Sequence, residues 1–76
     1  MNDRHRVSDI RALMDPAMAV ERAKGNATST AMLVRDDSVE FIIDDRHSSF
    51  PVGEDGSYDF DDMLKSWVSV RGPRER

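Results

Sequence analysis

The sequence has 76 residues, 38% of them apolar and 7% aromatic, with 15 acidic side chains against 11 basic ones and no cysteine. A chain of this size has room for one domain and buries only about 60% of the surface its unfolded form exposes, so its core is thin. The absence of cysteine excludes disulfides, thiolate metal sites and thiol nucleophiles; with no apolar run near the ~18 residues of a membrane span and no signal-peptide core, the expected setting is cytoplasmic, away from membranes.

Residues 1–7 read as a flexible N-terminal tail, residues 8–72 as one small α+β domain, and residues 73–76 as a flexible C-terminal tail. The first element is a helix over residues 8–24, because Ile10, Leu13, Met14, Ala17 and Met18 recur at i, i+3, i+4 on one face. Ser8 is its expected N-cap. Pro16 has no N–H and collides with the carbonyl four residues back, so the pattern predicts either a helix ending at Met14 and a second from Pro16 to Lys24, or one kinked helix. Gly25 and Asn26 supply a left-handed stop.

Two strands follow, residues 28–35 and 39–44, separated by the turn-forming Asp36, Asp37 and Ser38. In the second, Val39, Phe41 and Ile43 alternate with Glu40, Ile42 and Asp44, the period of an antiparallel strand with one buried face. A short third strand near residues 48–52 would be confined to a sheet edge by Pro51. The last helix carries the clearest local signal. Asp59 is its N-cap, Asp62 imitates a capping box, Tyr58 can staple onto Met63, and Gly72 with Pro73 ends it. Phe60, Met63, Leu64, Trp67 and Val68 form an unbroken apolar stripe, with Trp67 as core anchor and Met14, Met18, Met32 and Met63 as core filler. The predicted architecture is a two- or three-stranded antiparallel sheet with helices packed on one face, in the order α-β-β-(β)-α.

Charge is divided along the chain: residues 1–35 and 67–76 are each weakly basic, whereas residues 36–66 hold ten acidic side chains against Arg46 and Lys65. An anionic block of this kind attracts cationic surfaces and repels nucleic acid. Candidate chemistry is sparse. Asp55, Ser57, Asp59 and Asp61 alternate oxygen ligands like the first half of a calcium loop, but Phe60 and Ser66 stand where such a loop needs glycine and glutamate. His47 follows Asp44 and Asp45 and precedes Ser48 and Ser49, without the oxyanion pocket a nucleophilic site requires. No catalytic residue, metal site or cofactor is expected.

The expected function is that of a non-enzymatic protein-interaction module with a protein partner whose surface is basic, bound through Asp36, Asp37, Glu40, Asp44, Asp45, Glu54 and Asp55. One form would be a phage- or mobile-element-type inhibitor, a nucleic-acid mimic that blocks a basic site on a host protein. A homodimer through strand or helix pairing is also expected, since a small sheet leaves edges open. Two competing readings are a small dimeric nucleic-acid-binding regulator gripping phosphates with Arg4, Arg6, Arg11, Arg22, Lys24, Arg71, Arg74 and Arg76, and an accessory subunit of a larger complex.

Overall fold

The computed structural model describes residues 4–72. The tail expected over residues 73–76 and the first three residues of the expected N-terminal tail lie outside them. The fold is α+β, with the order β1 (Arg4–Arg6), α1 (Ile10–Ala23), β2 (Thr30–Val34), β3 (Ser38–Ile43), β4 (Arg46–Pro51), β5 (Ser57–Asp59), α2 (Phe60–Arg71). Strands β2, β3 and β4 form an antiparallel sheet in that spatial order, and β1 and β5 form a separate two-stranded ribbon.

The ribbon corrects the expected tail at residues 4–7. Arg4, His5 and Arg6 lie opposite Asp59, Tyr58 and Ser57, and the Val7 N–H donates to the Gly56 carbonyl at 2.8 Å. All three β1 side chains are exposed, so no apolar alternation marks the strand. It is held by main-chain bonds and by the His5 ring, which lies 4.8 Å from Phe60 and 5.9 Å from Tyr58 between centroids. Because β1 fixes the chain this far upstream, Val7–Asp9 tighten into a 3-10 turn and α1 begins after Asp9. Ser8 is therefore not the N-cap, and Asp9 makes no side-chain capping bond.

Helix α1 runs unbroken through Pro16. Pro16 and Ala12, whose carbonyl loses its intrahelical donor, are both exposed, so water can satisfy the orphaned acceptor. Its C-terminus closes as the sequence predicts: Gly25 has φ of 79°, its N–H donates to the Arg22 carbonyl, and the Asn26 N–H donates to the Glu21 carbonyl.

The helices cover one face of the sheet. Val39, Phe41 and Ile43 are fully buried beneath them, joined by Met32 from β2, Phe50 from β4, Ile10, Met14 and Met18 from α1, and Met63, Trp67 and Val70 from α2. Trp67 meets Phe41 edge-on at 5.4 Å, and Phe50 lies 5.6 Å from Phe41 and 5.3 Å from Tyr58. Helix α2 starts at the predicted cap, where Asp59 Oδ1 accepts from the Asp61 N–H at 2.8 Å. Its buried face is Met63, Ser66, Trp67 and Val70, rotated from the expected stripe, so Leu64 and Val68 face outward. Leu13 on α1 is likewise exposed.

Candidate protein interface at an open sheet edge

The hydrogen-bonding register decides which backbone groups of β2 are free. The Asp44 N–H donates to the Ser29 carbonyl and the Arg35 N–H to the Ser38 carbonyl, which fixes residues 29, 31, 33 and 35 as those bonded to β3. Thr30, Met32 and Val34 therefore aim their N–H and C=O groups off the sheet. Among the described residues only the Met32 carbonyl is met there, by the Arg11 Nη2 at 3.4 Å. On the opposite edge the same alternation turns His47, Ser49 and Pro51 of β4 outward, and Pro51 has no N–H to offer. Edge β2 is thus the more complete template for another strand.

Its side chains suit that role. Leu33 and Val34 are two of the six large apolar residues left exposed among the described residues, at 40% and 41%, and Ala31 is exposed beside Leu33 on the uncovered face. On the covered side a groove of about 500 Å³ separates the edge from α1, lined by Arg11, Asp15, Met18, Arg22, Thr30 and Met32. The Arg22 guanidinium donates to the Thr30 hydroxyl across it.

The seven carboxylates expected to form one surface are divided by the topology. Asp36 and Asp37 occupy the β2–β3 turn, and the Asp37 carbonyl accepts from the Val52 N–H at 2.9 Å, which brings the β4–β5 loop with Glu54 and Asp55 to the same end of the sheet. Asp44 and Asp45 occupy the β3–β4 turn, a strand's length away, roughly 17 Å for six residues. Glu40 lies between, on the uncovered face. Three of the seven have partners within the fold. Glu40 pairs with Arg35 at 3.0 Å and His47 at 2.8 Å; Asp44 Oδ1 accepts from the N–H groups of Thr28 and Ser29; Asp55 Oδ1 accepts from the Ser57 N–H and hydroxyl. Among the described residues no ion pair engages Asp36, Asp37, Asp45 or Glu54. One concentrated anionic group remains, Asp36 and Asp37 at the end of β2 with Glu54 nearby.

Those internal bonds lower the pKa of each of the three carboxyl groups. The His47 and then the Arg35 hydrogen bonds hold the Glu40 carboxyl below its ordinary 4.5, and main-chain donors from Ser29 and Thr28 hold Asp44 below 3.8. Asp55 is lowered by the Ser57 hydroxyl and backbone. A folded-state value below the unfolded one adds stability that is present above the unfolded value and lost as pH falls through the folded one. Urea midpoints are expected to hold near pH 6 and to fall below pH 4, with Asp44→Asn flattening that acid limb; an unchanged limb would remove Asp44 from the account.

The basic residues are mostly committed. Arg4 donates to the Ser57 hydroxyl and carbonyl, Arg6 to the Asp55 carbonyl, Arg46 to the carbonyls of Val70 and Arg71, and Arg71 lies 3.7 Å from the buried Glu21. They staple elements together. His47 and Ser48 occupy successive positions on β4 and so lie on opposite faces, His47 toward Glu40 and Ser48 bonded to Ser66. Among the described residues no three His, Cys, Asp or Glu side chains group as metal ligands. No helix there is long and apolar enough to cross a membrane. The sequence implied a small sheet with open edges but not which strand presents the more complete one, which depends on register.

Comparison of the chain with protein-family models, with characterised proteins and with solved structures finds no match in any of the three.

Proposed function

We propose that the protein is a non-enzymatic interaction module that binds a partner strand along β2. The carrying observation is the row of outward main-chain groups at Thr30, Met32 and Val34, flanked by exposed Leu33 and Val34 and ending at the Asp36–Asp37 turn. Main-chain hydrogen bonds would supply affinity, and alternate side chains specificity. The acidic turn favours a basic residue at one end of the incoming strand, which retains a basic partner while confining the electrostatics to one end of the edge.

The test is a selection of random peptides on the immobilised protein, with two proline variants as controls. Val34→Pro removes an outward N–H and leaves the β2–β3 bonds intact. Leu33→Pro removes an inward one and is expected to destabilise the sheet. Selected peptides should be extended, carry Lys or Arg near one end, and bind Val34→Pro about tenfold more weakly, the loss of one main-chain bond. Equal binding to folded Val34→Pro would place the interface elsewhere.

A further inference from the structure

We infer that the strand received by β2 is β2 of a second copy of this chain, paired antiparallel about Met32. The inference rests on the edge-binding reading above and names its partner.

Only residues 30, 32 and 34 present outward groups, so the best self-pairing is the register that joins all of them. Centred on Met32, Thr30 of one copy meets Val34 of the other, Met32 meets Met32, and Val34 meets Thr30. All three positions then form hydrogen-bonded pairs, six bonds across the axis. A shift of one residue either way sets outward groups against inward ones and leaves no such pair, and a shift of two leaves two. The two-fold arrangement is isologous, and it closes both open β2 edges at once.

Charge selects the same orientation. Arg22 at the end of α1 reaches Thr30, with Lys24 just beyond it, whereas Asp36 and Asp37 follow Val34. Antiparallel pairing carries the acidic turn of each copy to the Arg22 end of the other, twice per dimer; Asp44 and Asp45 share that end, Asp44 with its carboxylate already held by the Thr28 and Ser29 N–H groups. Parallel pairing would set turn against turn, with like charges together. On the uncovered face Ala31 of each copy comes opposite Leu33 of the other, removing from water the apolar side chains that the monomer leaves out. One monomer contact competes with the pairing: Arg11 Nη2 occupies the Met32 carbonyl at 3.4 Å, the acceptor for the Met32 N–H of the second copy. Arg11→Ala should therefore tighten the dimer.

The register is read by disulfide trapping. Ala31 and Leu33 of the second copy form a non-hydrogen-bonded pair with Cα atoms about 4.5 Å apart, inside the range a disulfide spans, while 31–31 and 33–33 are diagonal. Ala31→Cys and Leu33→Cys proteins, each oxidised alone, should remain largely uncrosslinked; mixed before oxidation they should yield a covalent heterodimer. Light scattering on the unmodified chain should show a dimer that Asp36→Lys/Asp37→Lys weakens at least about tenfold and that salt weakens in the same direction. A monomer persisting to about 1 mM, or equal crosslinking in the single and mixed samples, overturns self-pairing. If selected peptides still bind in a Val34→Pro-sensitive way, only the identity of the partner is lost. If they do not, the edge itself is refuted.

Discussion

Phe41→Ala is expected to lower stability by roughly 3–5 kcal/mol, the range for removing a buried phenyl ring. At 76 residues the whole domain has only about 4–11 kcal/mol to lose, so much of the variant population should be unfolded at 37 °C. Phe41 is completely buried and is the ring on which three elements converge: its own strand, Phe50 from β4 and Trp67 from α2. Removing it leaves a hole lined by two other aromatics, which cannot collapse without moving a strand or a helix. Urea denaturation followed through Trp67 fluorescence measures the loss. Val68→Ala is the control: it shortens a side chain of α2, the helix that carries Trp67, at a position 61% exposed, and its effect should stay within about 0.5 kcal/mol. Equal effects would mean that the buried face of α2 is the stripe read from sequence, not the face seen in the structure.

That stripe shows how far periodicity carries. Each helix has more apolar residues than its buried arc can use, so the pattern identifies α1 and α2 as helices but does not fix their rotation. In α2 the buried arc includes Ser66, whose hydroxyl bonds to Ser48 at 2.8 Å, while Leu64 and Val68 are left outside. A satisfied serine beneath a helix cannot be told from a solvent-facing one until its partner is known. Strand β3, by contrast, was legible, because the alternation of Val39, Phe41 and Ile43 with Glu40, Ile42 and Asp44 needs no tertiary information. Strands β1 and β5 carried no such alternation and were invisible.

The interface divided in the same way. The density of acidic residues in mid-sequence was plain, but their distribution depended on turns at opposite ends of β3, a matter of topology. Asp44 shows the difference most clearly: it adopts φ of 56° and uses its carboxylate to hold the backbone entering β2, so a residue read as a surface charge is part of a turn. Which groups of β2 face outward followed only once two hydrogen bonds had set the register.

Arg46→Ala should cost about 2 kcal/mol, a large effect for a partly exposed arginine. The inward face of β4 reads Arg46, Ser48, Phe50, and only the last is apolar, which is why the strand was faint in the sequence. Its polar members are satisfied by α2. Arg46 Nε donates to the Val70 carbonyl at 2.7 Å and Nη2 to the Arg71 carbonyl at 3.2 Å, so the guanidinium closes the C-terminal turn of the helix. Those carbonyls lack intrahelical donors and carry the negative end of the helix dipole, where a cation is favoured. Deleting the side chain returns the acceptors to water and unties α2 from the sheet at the end where Gly72, at φ of 77°, turns the chain away. Arg46→Lys should recover less than half, since one ammonium cannot match the two-pronged geometry. Hydrogen exchange at the last turn of α2 reports the change locally: protection should fall there before it falls in β3. Uniform loss across both elements would mean that Arg46 supports the domain as a whole and not the helix terminus.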